Sequence, residues 1–143
     1  MSTNKRVSVL GGGSFGTVLA NIAASNGYEV CLWVRDAEQA LRINSEGANS
    51  TYHPELKLSE NITASEDLTS AVKNSDYILV ATPSNIFEEV ISRLEPLISS
   101  SVAVISCTKG VKSDPFRTMT DIINQHLGHL IGKKLGVLSG PNL

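Results

Sequence analysis

The chain is predicted to fold as an α/β domain: a doubly wound, mostly parallel sheet with helices on both faces. Three observations carry that reading. Short apolar runs alternate with longer stretches of helical period. The runs themselves (Val7–Leu10, Val30–Val34, Tyr77–Ala81, Val102–Ile105) are almost continuously apolar, as in strands covered on both faces. The first of them turns through spaced glycines directly into a helical stretch.

Taken in order, Arg6–Leu10 is the first strand, and Gly11-Gly-Gly13-Ser-Phe-Gly16 follows it. Glycine at Gly11 permits a tight turn, at Gly13 lets backbone approach a pyrophosphate, and at Gly16 lets helix and strand pack closely. The N–H groups and positive dipole end of the new helix then face the anion. This is the start of a Rossmann-type dinucleotide-binding unit. Val18, Leu19, Ile22 and Ala23 form the helix's apolar face, and Gly27 stops it. The second strand is Glu29–Val34, after which Asp36 caps a helix carrying Ala40, Leu41 and Asn44 that ends near Gly47. Ala48–Asn61 is the least regular part and reads as a loop or irregular strand. A short helix started by Ser65 runs from Glu66 to Lys73. The third strand, Tyr77–Ala81, leads to a helix with Ile86, Val90, Ile91 and Leu94 on one face, closed by Pro96. The fourth, Val102–Ser106, is followed by a helix that Asp114-Pro115 opens, with Phe116, Met119, Ile123 and Leu127 facing the core. The fifth is Leu135–Leu138. The chain then stops at Pro141-Asn142-Leu143, where a doubly wound domain would continue into another helix. Residues 1–143 are thus expected to be a truncated cofactor domain, with a helical domain following.

Bulk properties narrow the function. A length of 143 residues suits one domain with a real core, and 41% hydrophobic against 18% charged residues argues against disorder. A net charge of −2 without a long run of one sign speaks against a nucleic-acid partner or a membrane surface. No apolar run approaches the ~20 residues of a membrane span, and the N-terminus lacks a signal-peptide core. The expected setting is the cytoplasm. Cys31 and Cys107 sit in apolar strands and read as core thiols, not as a disulfide or metal pair. His126 and His129 read as residues suiting a helix C-terminal dipole, and no metal is expected. His53, in Tyr52-His53-Pro54, is left open, as is its bearing on the cofactor groove.

Chemistry is expected beyond the carboxyl ends of the strands, where ligands bind in open α/β sheets. An acidic residue at the end of the second strand would signal NAD; here Arg35 stands there, followed by Asp36. An arginine fork suits the 2′-phosphate of NADP, so NADPH is expected to be preferred or accepted beside NAD. Thr82-Pro83-Ser84, Thr108-Lys109-Gly110 and Ser139-Gly140-Pro141-Asn142 end three further strands.

The combination of Gly11-x-Gly13-Ser-Phe-Gly16, Trp33-Val-Arg35, Pro83-Ser84, Thr108-Lys109-Gly110 and Leu138-Ser-Gly-Pro141 resembles the bacterial NAD(P)-dependent glycerol-3-phosphate dehydrogenases from Lys5 to the last residue. The resemblance implies that Ser14, Phe15 and Arg35 contact the cofactor. It implies that Lys109 touches cofactor and substrate, and that Gly140 and Asn142 contact the substrate phosphate. Asn142 departs from the family's usual Ser or Thr, though its amide can also donate to a phosphate. With Gly11, Gly13, Gly16 and Pro83 these complete the candidate site. The family's lysine base would lie beyond Leu143. For the intact enzyme the resemblance implies reversible reduction of dihydroxyacetone phosphate to sn-glycerol 3-phosphate for glycerophospholipid synthesis. A homodimer is one arrangement open to it. Two other readings stand beside this one: a different NADP-dependent dehydrogenase of the hydroxyacid or 6-phosphogluconate type, and a non-catalytic nucleotide-sensing module.

Overall fold

In the computed structural model, which describes residues 5–113 and 115–138, six strands form one parallel sheet. They are β1 (Arg6–Leu10), β2 (Glu29–Trp33), β3 (Ile62–Ser65), β4 (Tyr77–Val80), β5 (Ala103–Ser106) and β8 (Leu135–Val137), in the order β3-β2-β1-β4-β5-β8. A separate antiparallel hairpin pairs β6 (Val111–Lys112) with β7 (Arg117–Thr118). Chain direction reverses its progress across the sheet between β1 and β4, which opens a crevice at their carboxyl ends.

The pleat divides the core in two, because successive side chains point to opposite faces. Val7, Val9, Val30 and Leu32 face α1 (Ser14–Ser25) and α2 (Ala37–Glu46). Leu10, Cys31, Trp33, Ile78 and Val80 face the other way, toward α3 (Leu68–Val72), α4 (Ser84–Ser92) and α5 (Met119–Ile131). Full coverage of both faces, expected from the apolar runs, holds for β1 and β2 only. Tyr77, Leu79, Ala103 and Ile105 remain half-buried, because α1 and α2 pack over β1, β2 and β3.

Several elements differ from the sequence reading. The buried side of α1 is Gly16, Thr17, Leu19, Ala20 and Ala24, and Ile22 is exposed. Small residues win that face because the helix lies close against the sheet. On α2 the inward residues are Ala40 and Ile43, while Leu41 points to solvent. Asp36 does cap α2, accepting from the Glu38 amide, and Gly47 ends it in the left-handed region. Ile62–Ser65, which follows the irregular Ala48–Asn61 segment and for which no strand is expected from the sequence, is the edge strand β3. Ser65 therefore starts no helix; α3 is shorter and capped by Asp67. Phe87, not Ile86, is the fully buried anchor of α4, and Pro96 lies in a 3-10 turn (Glu95–Leu97) beyond the helix. Residues 115–118 do not open a helix. They enter the hairpin, Phe116 is exposed, and α5 begins at Met119 behind a Thr118–Asp121 capping box. Among the described residues no helix is long and apolar enough to cross a membrane.

Candidate functional site

The carboxyl ends of β1, β2, β4 and β5 meet in one cleft of about 540 Å³. β1 delivers the glycine turn. Gly11 has φ +124°, and a Cβ there would lie 2.6 Å from the Ala81 carbonyl oxygen. A Cβ at Gly16 would lie 1.9 Å from the Gly11 carbonyl oxygen, so any side chain would push α1 off the turn. Gly13 is the opposite case: a Cβ would meet nothing within 4 Å. Its backbone therefore borders open space, which is the space a pyrophosphate needs.

Helix ends set the electrostatics. α1 opens at Gly13 and α4 opens at Pro83, both on the cleft, and neither has a side-chain cap or an acidic residue in its first turn. The helices α2, α3 and α5 begin differently, each capped by a side chain: Asp36, Asp67 and Thr118 with Asp121. Thus the uncapped N–H groups of two helices are kept for whatever occupies the cleft. Arg35 and Lys109, both exposed, add two cations to its lining.

Polar side chains brace the turn from behind. Asn49, buried, donates through Nδ2 to the Gly12 carbonyl at 2.9 Å and to Thr17 Oγ1 at 2.8 Å. Gln39 Nε2 donates to the same Gly12 carbonyl at 2.9 Å, and the Thr17 hydroxyl donates to the Gly13 carbonyl at 2.7 Å. On the other side, the Thr108 hydroxyl donates to the Thr82 carbonyl at 2.7 Å, tying the β5 end to the β4 end. Thr82 Oγ1 is buried on the cleft wall without a hydrogen-bond partner among the described residues. An orphaned hydroxyl, an open glycine and two free helix ends fit a bound dinucleotide.

The structure thus brings together Gly11, Gly13, Ser14, Phe15, Gly16, Arg35, Pro83 and Lys109 on one lining. Gly140 and Asn142 lie outside the described residues. Phe15 is half-exposed over the turn. Sequence reasoning missed Gln39 and Asn49: period and motif report backbone geometry, whereas these two act through contacts across the fold. It left His53 open, and His53 Nε2 lies 3.0 Å from both Ser14 Oγ and the Ser14 carbonyl oxygen. Cys107 lines the cleft, but burial pushes its thiol up to about 11, so it stays protonated near neutral pH. His126 and His129 serve more than the helix dipole: they pair with Glu88 and Glu95 on the α4 side, away from the cleft.

Comparison with known proteins agrees with this geometry. The family described as "NAD-dependent glycerol-3-phosphate dehydrogenase N-terminus" matches residues 6–143. A protein named glycerol-3-phosphate dehydrogenase [NAD(P)+] from Teredinibacter turnerae is 42% identical over 142 residues, covering 99% of this chain and 41% of that protein. One of the same name from Acinetobacter baumannii is 47% identical over 141 residues, covering 99% of this chain and 38% of that protein. The crystal structure of the Coxiella burnetii glycerol-3-phosphate dehydrogenase superposes with a TM-score of 0.86 at 31% identity, over 98% of this chain and 42% of that one. The chain therefore spans less than half the length of the relatives it matches. A glycine turn feeding an uncapped helix, cations at two strand ends and a match over nearly the whole chain lead to one assignment: this chain belongs to the N-terminal domain family of the NAD-dependent glycerol-3-phosphate dehydrogenases.

Proposed function

We propose that the cleft holds NADPH or NADH and that the whole protein reversibly reduces dihydroxyacetone phosphate to sn-glycerol 3-phosphate in the cytoplasm, supplying glycerophospholipid synthesis. The observation that carries the reading is the meeting of two uncapped helix N-termini with Arg35 and Lys109 in one crevice. The dinucleotide carries anionic phosphates, and the amides of the α1 first turn would hold them together with Ser14. Phe15 would shield that region from water, Pro83 would line the groove, and Arg35 would take the adenosine end. When bound, the nicotinamide supplies or accepts the hydride; the protein contributes binding, orientation and electrostatics.

Lys109 stands at the end of β5, where an ammonium can attract the substrate phosphate and the cofactor together. Gly140 and Asn142 would complete the substrate phosphate site. A lysine base beyond Leu143 would exchange the proton at the carbonyl oxygen. The test is product analysis of the full-length protein with dihydroxyacetone phosphate and NADPH, beside the 143-residue chain. We expect glycerol 3-phosphate from the former and none from the latter, and a loss of at least about a hundredfold in kcat/KM for Lys109→Met, in line with removal of a charge-assisted contact and its orienting role. A full-length protein that binds NADPH yet leaves dihydroxyacetone phosphate untouched would contradict the substrate, and would fit a hydroxyacid dehydrogenase or a nucleotide sensor instead.

A further inference from the structure

His53 reaches the glycine turn from the loop between α2 and β3, and it is half-buried there. Its Nε2 lies 3.0 Å from the Ser14 carbonyl oxygen and 3.0 Å from Ser14 Oγ. A carbonyl oxygen can only accept, so this partner set assigns a proton to Nε2. The same N–H then reaches Ser14 Oγ, which must accept as well. That fixes the serine: with its lone pair engaged by His53, its own hydroxyl proton is left to donate elsewhere. Ser14 is the first residue of α1, exposed on the cleft lining beside the open backbone of Gly13. The acceptor in that direction is the site where the free amides call for an anion.

We propose that His53 is a positioning residue for the pyrophosphate of the dinucleotide, acting through Ser14. By donating to Ser14 it turns the hydroxyl into a donor aimed at phosphate oxygen and anchors the 48–61 loop to the first turn of α1. Tyr52, next in the chain and half-exposed, lines the same cleft, so the anchored loop also forms one wall of it. The inference rests on the dinucleotide reading of the cleft.

The experiment measures NADPH dissociation constants by calorimetry for the full-length protein near neutral pH, with thermal midpoints of the nucleotide-free variants alongside. We expect His53→Leu to weaken NADPH about fivefold to tenfold, the worth of one well-placed hydrogen bond, with a midpoint within about 4 °C of the wild type. His53→Gln, which restores a side-chain N–H, should stay within about twofold of the wild type. In a Ser14→Ala background His53→Leu should have little further effect, since coupled residues are non-additive. Unchanged affinity in His53→Leu overturns the proposal. So does a His53→Gln as weak as His53→Leu, or an equal loss in the Ser14→Ala background. Absence of NADPH binding in the wild type would instead bring down the dinucleotide reading itself.

Discussion

At the scale of single residues, two kinds of side chain divide the work of the cleft. Gln39, Asn49 and Thr17 hold the glycine turn by satisfying the Gly12 and Gly13 carbonyls, while the Gly11 amide is tied back to the Trp33 carbonyl at 2.9 Å. Arg35 stands apart from that bracing, exposed at the carboxyl end of β2. Its guanidinium can fork onto a 2′-phosphate and has nothing equivalent to grip on NADH. Arg35→Ala is therefore expected to raise the NADPH dissociation constant roughly tenfold to a hundredfold and the NADH constant less than about threefold. Equal losses for both nucleotides, measured by titration, would remove Arg35 from the discrimination. That the glycines, Arg35 and Lys109 gather on one cleft was legible in the sequence because each closely follows a strand end, whereas a role for Lys109 came only from the family resemblance. Asn49 and His53 were not legible, because nothing in their local pattern states that a loop returns to the first turn of α1.

At the scale of elements, the hairpin β6–β7 is held to the helices by charge. Arg117 donates to both Glu88 carboxylate oxygens at 2.8 Å, to Gln125 at 2.7 Å, and His126 closes on Glu88 at 2.8 Å. The Arg117 hydrogen bonds, followed by that of His126, hold the Glu88 carboxyl down to about 2 against its ordinary 4.5. A carboxylate with a lowered folded-state value stabilises the fold in full above its unfolded value and loses that contribution as pH falls toward the folded one. Glu88→Gln should thus lower the thermal midpoint by about 2–4 °C near neutral pH, the scale of a partly exposed ion pair. The gap to wild type should narrow between about pH 4.5 and 2. A gap that persists unchanged at the acid end would show that packing, not charge, holds the hairpin. This hairpin was illegible in the sequence: Pro115 reads as a helix opener, while Thr118 and Asp121 supply a stronger start three residues later. The strand β3 was hidden for a related reason, since an edge strand of Ile, Thr, Ala and Ser lacks the apolar run that marks buried neighbours.

At the scale of the whole molecule, the strand order β3-β2-β1-β4-β5-β8 is what turns scattered motifs into one site. It sets the glycine turn of β1 between the Arg35 end of β2 and the Pro83 end of β4, with Lys109 one strand further on. The apolar runs of β1, β2, β4 and β5, alternating with helices as parallel strands require, are why the fold class could be read before any contact was known. With every cleft-lining strand end inside residues 5–138, this domain alone is expected to cradle the dinucleotide. The measurement that tests it most directly is calorimetric titration of the 143-residue chain with NADPH and with NADH, at low and raised salt. Binding of both, tighter for NADPH and with an advantage that shrinks as salt screens the Arg35 contact, is the predicted result. Binding of neither nucleotide would contradict the account.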